Sequence, residues 1–295
     1  MIKTDSCFLA IDKPAGISSF EVIRRLRRIT GIRKIGHTGT LDPFATGLLI
    51  CCLGSYTRLA SLVESADKTY LAKLKFGVRS STGDPEGEIV ETASLPSESI
   101  DWQEIADRAL SLQELPVPIY SAVKVDGNRA YSLARKGLVP DLPKRPTRIL
   151  SMEFLPETLE VDSGSVHGIT YRCTVSKGTY IRSLSEWLAE QAASIGITIE
   201  LRREAVADIQ VGFAGEIDLL SSENWRQYVL DPRIVLAGLP VYEVDSYQAA
   251  KIQNGSDLPY RGDLGKTRFA IYHNNSLIAI ALKNKQMLHP EIVLA

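Results

Sequence analysis

The stretch Gly36-His37-Thr38-Gly39-Thr40-Leu41-Asp42-Pro43-Phe44-Ala45-Thr46-Gly47 constrains this chain more than any other. Its three glycines allow backbone turns that a Cβ would block. Pro43 disfavours the helical region for Asp42. The segment is therefore a loop that holds one carboxylate in a non-helical setting. A fixed loop on a rigid scaffold can aim such a group into a cleft. A single Asp-Pro pair also makes an ordinary surface turn. The order of residues across the whole loop is much more specific than that pair.

The elements around the loop can be placed by periodicity. Residues 7–11 are a short buried strand, and Asp12 to Gly16 make a turn. Ser18 with Glu21 three residues on forms a capping box. The helix it opens runs to about Ile29, faces inward with Ile23, Leu26 and Ile29, and ends at Gly31. Leu48–Leu53 is a buried strand. Lys68–Phe76 alternates apolar and polar residues, as a half-buried strand does. A polar loop, Arg79 to Glu88, follows. Asp101 and Glu104 cap a second helix through about Leu112. Pro116 and Pro118 break the chain, a short helix spans Arg129–Lys136, and Pro140, Pro143 and Pro146 mark another loop. Ser165–Ser176 alternates as a strand. Ser176 to Arg182 turns into a helix through about Ala193, and Ile197–Ile209 returns as strand. No regular βαβ rhythm is present, so the expected class is α+β with a mixed, mainly antiparallel sheet flanked by helices. Near Gly238-Leu239-Pro240 the character changes. Residues 239–295 hold a short helix (Tyr247–Gln253) and two strands (Arg268–Tyr272 and Leu277–Leu282). They form a small β-rich unit that leans on residues 1–238 for part of its core.

Composition excludes several classes. No apolar run reaches the ~18 residues of a membrane helix, and the first residues lack a signal-peptide pattern. The expectation is a soluble, cytoplasmic protein, with nothing that calls for obligate assembly, so a monomer. Cys7, Cys51, Cys52 and Cys173 make no C-x-x-C pair, and His37, His167, His273 and His289 form no metal-binding spacing. No glycine-rich nucleotide loop occurs. The net charge is −1, but the charges are unevenly spread. Ile23 to Lys34 carries Arg24, Arg25, Arg27, Arg28, Arg33 and Lys34 with no acid, while acids collect between Asp84 and Asp107. One face is thus suited to phosphates, although any one cluster of this kind is equally a solvated helix face.

Five blocks carry a resemblance: Ile11-Asp12-Lys13-Pro14-Ala15-Gly16-Ile17-Ser18-Ser19, the loop Gly36–Gly47, Tyr120-Ser121-Ala122-Val123-Lys124 with Gly127, Ser176–Arg182, and Leu201-Arg202-Arg203. In order and spacing the chain resembles the bacterial TruB family of tRNA pseudouridine-55 synthases over about residues 5–235. The resemblance implies the pseudouridine synthase fold for 1–238 and a PUA-like RNA-binding domain for 239–295. It implies isomerisation of a uridine in the TΨC loop of tRNA without metal or cofactor, tRNA as the partner and no obligate protein partner. By the same similarity Asp42 is the nucleophile and Arg182 the arginine that pairs with it. Tyr70, Tyr180 and Leu201 line the uracil pocket, and His37 helps displace and hold the loop nucleotides. Lys13 and Lys124, within two of the blocks, count as substrate-binding positions. One departure is Ser81, where the family usually carries a further aspartate; Asp84 is retained.

The chemistry agrees with this assignment. Burial alone raises an Asp pKa and neutralises it, and an adjacent arginine lowers it by about 1–3 units. A buried nucleophilic Asp42 therefore needs a guanidinium, for which Arg182 is the candidate. Extruding a stacked base costs a few kcal/mol, and stacking on Tyr70 or Tyr180 returns about 1–3 kcal/mol. Tyr70 is also a candidate proton acceptor, and is grouped with Asp42 and Arg182 as catalytic. Plain core packing is the other reading of Tyr70 and Leu201. A non-catalytic RNA-binding or tRNA-folding protein, and a synthase for another RNA, are the alternatives at the level of function.

Overall fold

The structure is a computed structural model that describes residues 6–294 apart from 122, 126–127, 131–132, 134–137, 139–141 and 266. Side chains at 124, 125, 128 and 129 are likewise outside the description. The helix expected over Arg129–Lys136 lies mostly outside the described residues.

A ten-stranded mixed sheet forms the main body. Its principal strands are β1 (Cys7–Lys13), β2 (Ile35–His37), β3 (Thr46–Leu53), β4 (Lys68–Phe76), β5 (Ile149–Asp162), β6 (Ser165–Val175) and β7 (Gly196–Val206). They run in the order β5-β6-β4-β7-β3-β1, and β2 pairs with β3. Most neighbours are antiparallel, as the lack of βαβ rhythm predicts, but β7 meets β3 in parallel through Arg202–Thr46 and Arg203–Gly47. That parallel seam sits at the end of the Gly36–Gly47 loop, in the middle of the sheet.

Three helices flank it: α1 (Ser19–Thr30), α2 (Trp102–Leu110) and α3 (Ile181–Gln191). The Ser18 side chain accepts from the Glu21 N–H at 3.1 Å, and Gly31 closes α1 in the left-handed region at φ 71°. Asp101 caps α2 through the Glu104 N–H at 3.0 Å. On β4 the inward set is Tyr70, Ala72, Leu74 and Phe76, the set that the period-2 pattern marks.

Several strands differ from expectation: β2 lies partly within the stretch read as a loop, the C-terminal unit holds five strands where two were expected, and two long strands of the main sheet differ as well. The fourteen-residue β5 is absent from the sequence reading. It is an edge strand with a register shift between Leu155 and Glu160, and Pro156 lies within it. Proline belongs on such edges, and much of the strand faces solvent, so no alternation survives. The second strand, β7, stops at Val206; Ala207 takes φ 47°, and the chain folds back so that Ile209 pairs with Val206.

The last residues build a five-stranded sheet, including Val241–Glu243, Arg268–His273, Ser276–Asn284 and Met287–Val293, with a helix over Ser246–Gln253. Within Arg268–His273 the side chains alternate. Phe269 and Ile271 pack with Ile252 and Leu288 in a core of this unit. Ala270 and Tyr272 pack on Phe8, Ala10, Leu48, Ile50 and Cys52 of β1 and β3. The opposite faces of β1 and β3, Leu9, Ile11, Leu49 and Cys51, lie under Val22, Ile23 and Leu26 of α1. Both faces of the ribbon that bears the loop are therefore buried. Among the described residues no helix is long and apolar enough to cross a membrane.

Gly47 is where the loop joins the sheet. Its φ is 104°, and a Cβ there would stand 2.3 Å from the Arg203 carbonyl oxygen of β7. The obstructing atoms are all Arg203 backbone, which the β3–β7 pairing holds in place. Gly47→Ala is expected to destabilise the fold by about 3 kcal/mol, read as a fall in the urea midpoint without a change of slope.

Candidate active site

The loop between β2 and β3 is clamped from three directions. From β1, the Lys13 ammonium donates to the carbonyls of Pro14 (2.8 Å), Ile17 (2.8 Å) and Pro43 (3.2 Å). The Gly16 N–H donates to the same Pro43 carbonyl at 2.8 Å. From α1, the Ser19 hydroxyl accepts from the Leu41 N–H at 2.9 Å and donates to the Leu41 carbonyl at 3.0 Å. From β7, the Arg203 guanidinium donates to Leu48 O at 2.6 Å and Gly39 O at 3.2 Å. Leu41 and Ala45 anchor the loop in the apolar core. Asp42 lies between these anchors with 33% of its side chain exposed.

Arg182 meets that carboxylate. Its Nε lies 3.0 Å from Asp42 Oδ2, and its Nη1 lies 3.3 Å from Asp84 Oδ2. Nη1 also donates to Thr82 O at 2.6 Å and Nη2 to Tyr120 O at 2.9 Å. The guanidinium is 4% exposed. Arg182 sits in the first turn of α3, where the helix dipole disfavours a cation, so the two carboxylates and two carbonyls offset both burial and the dipole. Asp84 accepts further from Thr82 Oγ1 at 2.5 Å and the Glu86 N–H at 3.0 Å.

One cation does not neutralise two acids. Burial raises the Asp42 pKa above the ordinary carboxylate value; Arg182 and Lys13 pull it down, while Asp84 pushes it up. Burial is the larger effect, so the balance lies on the raised side despite the arginine. Glu86 is raised by burial, Asp84 and Asp42. Burial pulls Lys13 down to about 8, against Asp42 and Glu86 and with Arg203. His37 is lowered by burial and by Arg203, which keeps the imidazole neutral at pH 7. Its Nδ1 is buried without a hydrogen-bond partner.

The structure brings most of the expected residues together. Tyr70 on β4 and Leu201 on β7 are 8% and 7% exposed and share one apolar cluster with Leu41 and Ala45. Tyr180 is half-buried at the N-cap of α3, two residues before Arg182. Lys13 differs from its expected role. It has no exposed surface, and its ammonium is occupied by three carbonyls, so it supports the loop from below. The Lys124 side chain lies outside the described residues. Sequence reasoning did not assign Asp84, Ser19 or Arg203 to the site. Ser19 and Arg203 stand in motif blocks and Asp84 in the loop that carries Ser81, but only tertiary contact reveals their partners. Among the described residues no group of three or more His, Cys, Asp or Glu side chains is placed to hold a metal ion.

Comparison with known proteins bears on this arrangement. The family model described as TruB family pseudouridylate synthase (N terminal domain) matches residues 27–181, a span that includes the Asp42 loop. The chain belongs to this family. Among its TruB relatives, the tRNA pseudouridine synthase B of Clostridium kluyveri is 35% identical over 260 residues, 88% of this chain and 87% of that one. The Oenococcus oeni protein of the same name is 33% identical over 290 residues, 96% of each chain. Of solved structures, the archaeal box H/ACA sRNP Nop10-Cbf5 complex matches with TM-score 0.68 at 19% identity, covering 98% of this chain and 86% of that one. It shares the fold.

Asp42 also sets a sign for stability. A carboxyl with a raised folded-state pKa binds its proton more tightly folded than unfolded. Its contribution is present below the unfolded value and is lost as pH rises through the folded value. Removing the charge as Asp42→Asn leaves Arg182 with Asp84 alone. The variant is expected to unfold at higher temperature than wild type at pH 8, with the difference shrinking towards pH 4, as thermal melts across that range would show. Arg182→Met leaves both acids without their cation and is expected to cost about 3–5 kcal/mol by denaturant titration.

Proposed function

We propose that this chain is a tRNA pseudouridine synthase that isomerises uridine 55 in the TΨC loop, with Asp42 as the nucleophile. The observation that carries the reading is a single carboxylate, on a loop clamped from three directions, held 3.0 Å from a buried arginine in a chain of the TruB family. The relatives named tRNA pseudouridine synthase B support tRNA as the substrate.

The reaction breaks the bond between N1 of uracil and C1′ of ribose and forms one between C5 and C1′. The C5 proton leaves and N1 gains one, so no atoms are lost or added overall. Asp42 attacks either C1′ or C6 in its ionised form; Arg182 holds that form and fixes its direction. The raised pKa of Asp42 makes the carboxylate a stronger base and nucleophile than a surface one. Tyr70 and Tyr180 offer aromatic faces for the extruded base, and Leu201 gives an apolar wall. In a route through a glycal, Tyr70 would take up the proton that moves. Residues 1–238 would form the catalytic unit and residues 239–295 a PUA-like unit that binds RNA.

The test uses tRNA transcript tritiated at C5 of uridine. Wild type is expected to release tritium to water. Asp42→Asn is expected to reduce release by at least 10⁴-fold, the scale on which loss of a covalent nucleophile is felt. Release should also vanish when the target uridine is replaced by cytidine. Tight binding of tRNA without release would instead favour a binding or folding role.

A further inference from the structure

We propose that the outer face of α1 is a contact track for the RNA strand beside the extruded uridine, with Phe20 as a stacking platform at the rim of the active site. This rests on the tRNA reading above.

Phe20 is 65% exposed. A lone exposed apolar side chain is ordinary; the surroundings of this one are not. It follows Ser19, whose hydroxyl grips both backbone groups of Leu41, the residue before Asp42. Adjacent Cα atoms are about 3.8 Å apart, so the ring starts within a residue of the loop that presents the carboxylate. Positions 20, 24 and 27 fall on one helical stripe, at i, i+4 and i+7. The stripe runs about 10 Å at 1.5 Å per residue. Arg24, Arg27 and Arg28 are exposed, and Arg33 and Lys34 beyond the helix are exposed too.

Charge decides the occupant. Among the described residues Arg27, Arg28, Arg33 and Lys34 have no carboxylate partner. Arg24 lies 2.6 Å from Glu21, but Glu21 also has Arg25 at 3.3 Å, so Arg24 can turn to a phosphate without stranding the acid. Helix-dipole stabilisation accounts for Arg27 and Arg28 in the last turn. It does not account for an aromatic ring in water at the first turn. An unstacked base and its phosphates need both features side by side, and the target must leave its stack before reaction, so its neighbours lose a stacking partner too.

The test measures tRNA affinity, its salt dependence and steady-state tritium release for wild type, Phe20→Ala, Phe20→Tyr and Arg24→Gln/Arg27→Gln. Phe20→Ala is expected to weaken binding and raise KM about tenfold, as loss of one base–aromatic stack does. Its kcat should stay near wild type, because a rim contact holds ground and transition states alike. Its salt slope should not change, and Phe20→Tyr should restore affinity. The double arginine variant should flatten the slope of log K against log salt by about 1.5. Wild-type affinity and slope in both the Phe20→Ala and arginine variants, with normal tritium release by wild type, would overturn the track alone. Absence of tRNA binding and release by wild type would overturn the function reading and the track with it. Equal loss of affinity in Phe20→Ala and Phe20→Tyr would show that stacking is not the role of this side chain.

Discussion

The Arg182 guanidinium carries one positive charge, buried against a helix N-terminus, and faces two carboxylates. Everything near it is arranged around that imbalance. A buried guanidinium stays charged, so its partners must come to it. Asp42, Thr82, Asp84 and Tyr120 do so from three separate stretches of chain. The result is an acid that is paired yet not neutralised. A fully compensated aspartate would lose its basicity, and an uncompensated buried one would be protonated. The shared arginine holds Asp42 between these limits, at the expense of some stability when the carboxylate is ionised.

The loop depends on the same economy of polar groups. Lys13, Ser19 and Arg203 are all buried, and each gives at least one donor to a loop carbonyl: Pro43, Leu41 and Gly39. Three side chains from β1, α1 and β7 replace the ladder hydrogen bonds that a loop lacks. The backbone around Asp42 is thereby tied to three elements, while its side chain stays partly open. Lys13 shows the cost: burial pulls its ammonium down to about 8, against the opposing pull of Asp42 and Glu86.

Much of this was legible from sequence, for stated reasons. Buried strands and capped helices write themselves in periodicity, so β1, β3, β4, β6, α1 and α2 fell close to where the patterns put them. The Asp42–Arg182 pair followed from the demand that a buried carboxylate have a cation, together with the family resemblance. The edge strand β5 did not show, because an edge with Pro156 and many solvent-facing residues has no alternation to read. Lys13 misled for a different reason. It was counted as substrate-binding because it lies in a matched block, and only burial reveals that its charge points inward. Asp84 stood in an acidic, polar stretch; the resemblance marked it as retained, but nothing local named Arg182 as its partner. The C-terminal unit was expected to lean on the main body, and its Ala270 and Tyr272 do share a core with Phe8 and Leu48.

The clamp from β7 also bears on the order in which the protein can mature. The loop leaves the ribosome by residue 47, but Arg182 and Arg203 follow far behind. At about 5–20 residues per second, the intervening stretch takes roughly 7–30 s to synthesise. During that time Asp42 has neither its arginine nor the Gly39 and Leu48 anchors. A nascent chain therefore carries Asp42 in a slack loop, and the site is assembled only when β7 docks on β3.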